Sequence, residues 1–297
     1  MSVINEFLDY LKNEKKTADN TVLAYKRDIC AFERFANGRG IFSPLEVTNA
    51  EVVSYLIQLK NDGKSKGTVN RKLASIRSFY NYMQRMGRMS VNPTEDIKSP
   101  KIDRKDLEFL TIQEVELLLD QPDNSVKGIR DRAILELMYA TGIKVSEVIE
   151  LKLSDMNLHM GFVTCSGSHG RARIVPMGNM AKDALQSYID ESRNFLMRGE
   201  EVDNPDKTFF VNYMGKPFTR QGLWKIMKEY GVKSGMEHKI TPHILRNSFA
   251  VHMIQNGADL KSLQELLGHE DIAATQIYLS VTKNRIKDVY DKTHPRA

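Results

Sequence analysis

Residues Thr241–Tyr278 read TPHILRNSFAVHMIQNGADLKSLQELLGHEDIAATQIY. The stretch sets His243 and Arg246 three residues apart on a helical run, reaches Gly268 and His269, and closes on Tyr278. One arginine, two histidines and a tyrosine, delivered by helical elements, can converge on a single anionic group. The rest of the chain bears on whether that anion is a DNA phosphate.

At 297 residues the chain is long enough for two domains, each with its own core. It has no low-complexity tract and no apolar run near the ~18 residues a membrane span needs. The N-terminal MSVINEFLDYLKNEKK is amphipathic and lacks the basic start and apolar core of a signal peptide, so a cytoplasmic location is expected. Cys30 and Cys165 match no metal spacing and read as two reduced thiols. The net charge is +5, and residues 1–105 carry roughly 19 basic against 12 acidic side chains. A basic N-terminal third suits a polyanionic partner, because phosphate contacts supply much of nucleic-acid affinity.

Apolar residues at three- and four-residue spacing predict helices over 2–14, from Asn20-Thr21 to a stop at Asn37-Gly38, over Ala50–Lys60 and over about Thr68–Met86. On the fourth, Val69, Leu73, Ile76, Phe79 and Met83 form one stripe, with Arg71, Lys72 and Arg77 off it. These make a small all-α domain over residues 1–96. Residues 97–108 are polar, contain a proline and have no apolar period, so they read as a linker. A second domain follows over 109–297. Thr111 and Glu114 have capping-box spacing at the head of a helix, and 128–141 is a strongly apolar helix ending at Gly142. Val145–Glu150 is a short helix. Two strands, Phe162–Cys165 and Arg171–Met177, flank a Gly-Ser-His-Gly turn. Helices are expected over about 179–197 and 219–234, with a loop and short strand at 205–211 between them, and the final third is helical.

The whole chain resembles the tyrosine recombinases of the phage integrase family, especially the Xer type that resolves chromosome dimers. The resemblance is carried by AYKRDICAFERF and TVNRKLASIRSFYNYM in the first domain. In the second it is carried by RDRAILELMYATGIKVSEVIELKLSD, RIVPM and the Thr241–Tyr278 stretch, and by the terminal HPRA. An HxxR pair alone is weak. That pair followed by LLGH, with a tyrosine nine residues after its histidine, is highly specific. The resemblance implies a mainly α fold with a small β-sheet: an N-terminal four-helix, SAM-like DNA-binding domain and a mixed α+β catalytic domain. It also implies a tetramer on double-stranded DNA, homo- or hetero-oligomeric with a related recombinase, that exchanges a C-terminal segment, here residues 288–297. No metal or nucleotide cofactor is implied.

Cleaving a phosphodiester without metal needs a nucleophile, cations on the non-bridging oxygens and an acid for the leaving oxygen. The resemblance gives Tyr278 the attack that forms a 3′-phosphotyrosine, Arg246 a bidentate grip on the phosphate, and His243 and His269 hydrogen bonding or proton transfer. The family also uses an arginine in ATG-I-R-x-SE and a lysine in G-K-G-x-x-x-R. Here Lys144 and Ser168 stand in those places, and Asn247 replaces the histidine that usually follows the arginine. Lys144 keeps a charge without the planar fork, and Ser168 is a poor general acid near neutral pH. His169 or Arg171 are the nearby substitutes, His169 being the less suited because an adjacent hairpin residue points to the opposite face. Glu147 is expected to orient Lys144, and Arg71, Lys72 and Arg77 to face DNA, while His252 packs in the core. An alternative remains open at this point: a cleavage-deficient, recombinase-fold DNA-binding protein acting as an architectural partner or regulator.

Overall fold

The computed structural model describes residues 3–101, 107–167, 172–198, 207–269 and 271–281. The chain divides into two compact units, Met1–Lys105 and Asp106–Ala297.

The first unit is built from α1 (Val3–Asn13), α2 (Asp19–Asn37), α3 (Asn49–Asn61) and α4 (Lys66–Arg85). Ser65 starts α4 by accepting the amide of Thr68 at 3.2 Å, the standard way to satisfy an orphaned N-terminal donor. All five residues of the expected α4 stripe are buried, and Phe7 of α1 meets Phe79 edge-on with ring centres 5.5 Å apart. Helical spacing therefore accounts for the α4 side of this core. Off the stripe, Asp28 is buried on α2 and accepts from Arg71, from Lys72 at 3.2 Å and from Ser75 at 3.0 Å. Residues just beyond the helices also pack here: Ile97 is buried, Arg77 donates to its carbonyl at 2.5 Å, and Asn70 donates to the Pro100 carbonyl at 2.8 Å.

The second unit opens with α5 (Ile112–Leu119). Its capping box is formed: the Thr111 amide donates to the Glu114 carboxylate at 2.9 Å, and the Glu114 amide donates to the Thr111 hydroxyl at 3.2 Å. The apolar α6 (Val126–Thr141) runs through the core and stops at Gly142, which adopts φ +58°. A side chain there would be strained by that φ and would run into the Phe249 ring, so the position demands glycine. The short α7 (Val145–Glu150) follows.

The sheet has three antiparallel strands in the order β1 (Met156–Asn157), β2 (Phe162–Ser166), β3 (Ala172–Pro176). Val163 pairs with Val175 and Cys165 with Arg173, and Val163, Cys165 and Val175 are buried. Opposite residues share a face, so Arg173 points to the same side of the sheet as the buried Cys165. The helix expected over 179–197 is not continuous. α8 (Asn179–Ser187) passes through a π-helical segment at Tyr188–Arg193 into α9 (Asn194–Met197). The wider turn brings three polar groups inward together. Tyr188 donates to the Phe209 carbonyl at 3.0 Å, Ser192 to the Val126 carbonyl at 2.7 Å, and Arg193 to the Phe209 and Thr208 carbonyls at 3.1 and 3.2 Å. The short strand expected near 205–211 reduces to isolated bridges, Lys152 with Thr208 and Val211 with Pro217, and its first residues lie outside those described. Then come α10 (Arg220–Lys233), α11 (Pro242–Gln255), α12 (Leu260–Leu267) and α13 (Ala273–Gln276), with Tyr278 in a closing 3-10 turn. No helix among the described residues is long and apolar enough to cross a membrane.

Candidate active site

Thr241 and Pro242 start α11, and Pro242 occupies the first turn, where its missing N–H costs nothing. His243, Arg246 and Asn247 follow at three- and four-residue spacing, so they share one face of the helix. That face borders an open cleft of about 890 Å³. Lys144 and Ser146 at the head of α7, Arg220 and Trp224 of α10, His269 after α12 and Tyr278 border it too. Among the described residues, three cationic side chains and two histidines line this cleft and no carboxylate does, a charge pattern suited to an oxyanion.

Arg246 is only 7% exposed. Its guanidinium donates to the Gly142 carbonyl, to the Leu267 carbonyl at 2.7 Å and to His269 Nε2 at 3.0 Å. Both carbonyls lie at helix C-termini, the negative ends of α6 and α12, so two helix dipoles and two orphaned acceptors hold the cation in place. Burial lowers its pKa, although an arginine keeps its proton regardless. Among the described residues three of its five N–H donors are engaged.

His269 is fixed at both ring nitrogens. A guanidinium can only donate, so Nε2 accepts, and Nδ1 carries the proton toward the Thr275 hydroxyl at 2.8 Å. Burial, then the charges of Arg246, Lys144 and Arg173, push its pKa down to about 4. This imidazole is therefore neutral at pH 7, with its lone pair facing the cleft arginine. The resemblance gave His269 either hydrogen bonding to the phosphate or transfer of the tyrosine proton, and its Nε2 is an acceptor here. His243 is exposed at the cleft and makes no side-chain hydrogen bond among the described residues.

Lys144 is the N-cap of α7, and its amide donates to Glu147 Oε2 at 2.8 Å. Glu147 thus orients the Lys144 backbone, and it does more. Its carboxylate forms a bidentate ion pair with Arg173, at 2.6 and 3.0 Å, while Arg173 Nε donates to the Leu266 carbonyl at 2.7 Å. Burial would raise the Glu147 pKa, but Arg173 and the Lys144 amide and charge outweigh it and hold the carboxyl below its usual range. Arg173 therefore ties β3 to the head of α7 and the end of α12. The sequence offered no signal for this beyond the RIVP match, because the partner is 26 residues away. Trp224 was also missed. It is the chain's one tryptophan, is 49% exposed on α10 with the Lys228 ammonium 5.5 Å from its ring centre, and that exposure was the signal available.

Tyr278 is 3% exposed and packs with Phe249, Ile254, Leu263 and Leu267. Its hydroxyl donates to Asn247 Oδ1 at 3.3 Å. Burial raises its pKa, and the charge of Arg246 works against that rise. His252, by contrast, is buried beside Phe109 and Tyr139, whose hydroxyl lies 3.0 Å from its Nδ1. Ser168, His169, Arg171 and the segment 288–297 lie outside the described residues. In the first unit Arg71 is half-exposed and Lys72 largely buried, both on Asp28, and Arg77 is partly buried on Ile97.

Comparison with known proteins decides the family. Residues 108–285 match the phage integrase family and residues 4–87 its N-terminal SAM-like domain. The chain is 42% identical over 295 residues to the tyrosine recombinase XerD of Oceanobacillus iheyensis, covering 99% of this chain and 98% of the relative. It belongs to the tyrosine recombinases. The chain is thus a site-specific recombinase of the DNA strand-exchange class, and the mainly α fold with a small sheet agrees with that membership. Among solved structures, a XerA recombinase aligns with TM-score 0.55 at 25% identity over 99% of both chains. A XerH recombinase bound to a palindromic difH substrate, in its post-cleavage complex, aligns with TM-score 0.73 at 20% identity, covering 96% of this chain and 83% of that one. No observation favours the cleavage-deficient alternative.

Proposed function

We propose that this recombinase cuts and rejoins double-stranded DNA through a 3′-phosphotyrosine on Tyr278, with no metal in the reaction. The observation that carries the reading is the cleft itself, where Arg246, Lys144, His243, His269 and Tyr278 border one space that no carboxylate of the described residues lines. Arg246, locked on two helix termini, grips the scissile phosphate without reorganising, which is how preorganised charge lowers a barrier. Lys144 adds a second positive charge, and His243 donates from the cleft rim. His269, neutral with a lone pair at Nε2, serves as the base that receives the tyrosine proton once phosphate engages Arg246. Ser168, with His169 and Arg171, supplies the hairpin side, where the leaving 5′-oxygen is protonated.

The wider reading is a Xer-like enzyme in the cytoplasm, active in chromosome partition or in integration and excision. It assembles as a tetramer on DNA, alone or with a related recombinase, through residues 288–297. Arg71, Lys72 and Arg77 contribute phosphate contacts from the N-terminal domain, residues 1–96, joined to the catalytic domain by 97–108. A nicked suicide duplex carrying the recombination site tests the catalytic part. A covalent protein–DNA band should form, vanish in Tyr278→Phe and strengthen in Lys144→Arg. A band that persists in Tyr278→Phe removes Tyr278 from the role.

A further inference from the structure

Asn247 lies one residue beyond Arg246, on the cleft face of α11, where the resemblance led one to expect histidine. Its amide spans two parts of the unit. Nδ2 donates to the Glu108 carbonyl at 3.0 Å, and Oδ1 accepts from the Tyr278 hydroxyl at 3.3 Å. A carbonyl can only accept, so the Glu108 contact fixes which end of the amide faces the tyrosine.

We infer that Asn247 is a positioning residue that holds the Tyr278 hydroxyl in a neutral resting state and must release it before attack. An amide oxygen is far too weak a base to take the phenol proton, so this bond stabilises neutral tyrosine only. A phenolate would face the same oxygen lone pairs and be repelled. Burial of the ring against Phe249, Leu263 and Leu267 favours the neutral form in the same direction. The opposing influence is Arg246, and Lys144, Arg220, His243 and His269 border the same cleft. At 3.3 Å the bond is longer than an ordinary O–H···O contact, hence weak enough to yield when DNA enters. The tyrosine proton then leaves to a group other than Asn247. The catalytic consequence rests on Tyr278 being the nucleophile, whereas the hydrogen bond itself does not.

The test uses the full-length protein with 3-fluorotyrosine placed at position 278 and titrated by fluorine NMR. Asn247→Ala should lower the titration midpoint by about half a pH unit, the equivalent of one weak hydrogen bond to the neutral form. Asn247→Asp puts a carboxylate against the hydroxyl and should raise it. Opposite signs from two substitutions at one site are not what a general loss of packing produces. The pH dependence of adduct formation on a nicked duplex should move with the midpoint, toward acid in the first variant and toward alkali in the second. Midpoints that stay put, or that move the same way in both variants, overturn the inference even where adducts form. Midpoints that diverge while no adduct forms from the parent protein sustain the Asn247 contact and refute Tyr278 as nucleophile.

Discussion

Replacing Glu147 by methionine should damage the catalytic unit more than a surface charge change would. The carboxylate accepts three hydrogen bonds, two from Arg173 and one from the Lys144 amide. Both ion-pair partners are nearly covered, with side chains 5% and 12% exposed. Removing one partner of such a pair leaves an uncompensated buried charge and costs about 3–5 kcal/mol. The lower end applies, because Arg173 keeps its bond to the Leu266 carbonyl. The orphaned Lys144 amide adds about 1 kcal/mol, the usual cost of a lost helix cap. A total near 4 kcal/mol corresponds to a fall in melting temperature of about 8–16 °C for a unit of this size. Calorimetry on the full-length protein measures it. The pH dependence has a definite sign. Between the folded and unfolded carboxyl pKa values the unfolded state binds more protons. Stability from this group is therefore complete above the ordinary carboxylate range and is lost as pH falls through the depressed folded value. The acid limb should flatten in Glu147→Met. The Glu147→Met, Arg173→Met double variant should be more stable than Glu147→Met alone, since two apolar groups replace a charge pair without orphaning either. A single variant costing under about 1 kcal/mol, or strictly additive effects in the cycle, would refute this account of the pair.

Arg246→Ala should slow single-turnover cleavage on saturating DNA about 10²–10³-fold, the usual cost of one preorganised donor, and rapid cleavage by that variant would place the phosphate elsewhere. His269, with its pKa pushed down to about 4, binds fewer protons folded than unfolded between that value and about 6.5, so its contribution to stability falls as pH drops through that window. Melting-temperature profiles of His269→Gln should be flatter there than those of the parent. Arg71 is half-exposed and paired with Asp28, so Arg71→Gln retains a hydrogen-bonding side chain while deleting one charge. Its DNA affinity should show a log–log salt slope smaller by about 0.9, and an unchanged slope takes Arg71 out of the interface.

The helices were legible because local rules govern them. The α4 stripe and the Thr111–Glu114 capping box depend on residues three or four apart, and both formed as read. The π-helical segment at Tyr188–Arg193 was not legible, since its cause is hydrogen bonding to carbonyls of residues 126, 208 and 209, far along the chain. The two-residue β1 is too short to show alternation and exists only through its pairing with β2. Motif spacing brought out Arg246, His243, His269 and Tyr278, but not their mutual chemistry. That Arg246 spends donors on helix termini, that His269 Nε2 accepts from Arg246, and that Tyr278 rests on Asn247 are all contacts over 21 or more residues. Spacing singled out the candidates, and packing decides which hydrogen bonds Arg246, His269 and Tyr278 make.

The most direct measurement is to trap the covalent complex on a nicked duplex, digest it and locate the DNA-linked residue by mass spectrometry. A phosphodiester bond to the Tyr278 oxygen, carried on the 3′ end of the cleaved strand, is the expected result. Linkage to any other side chain, or a 5′-linked adduct, would contradict the account.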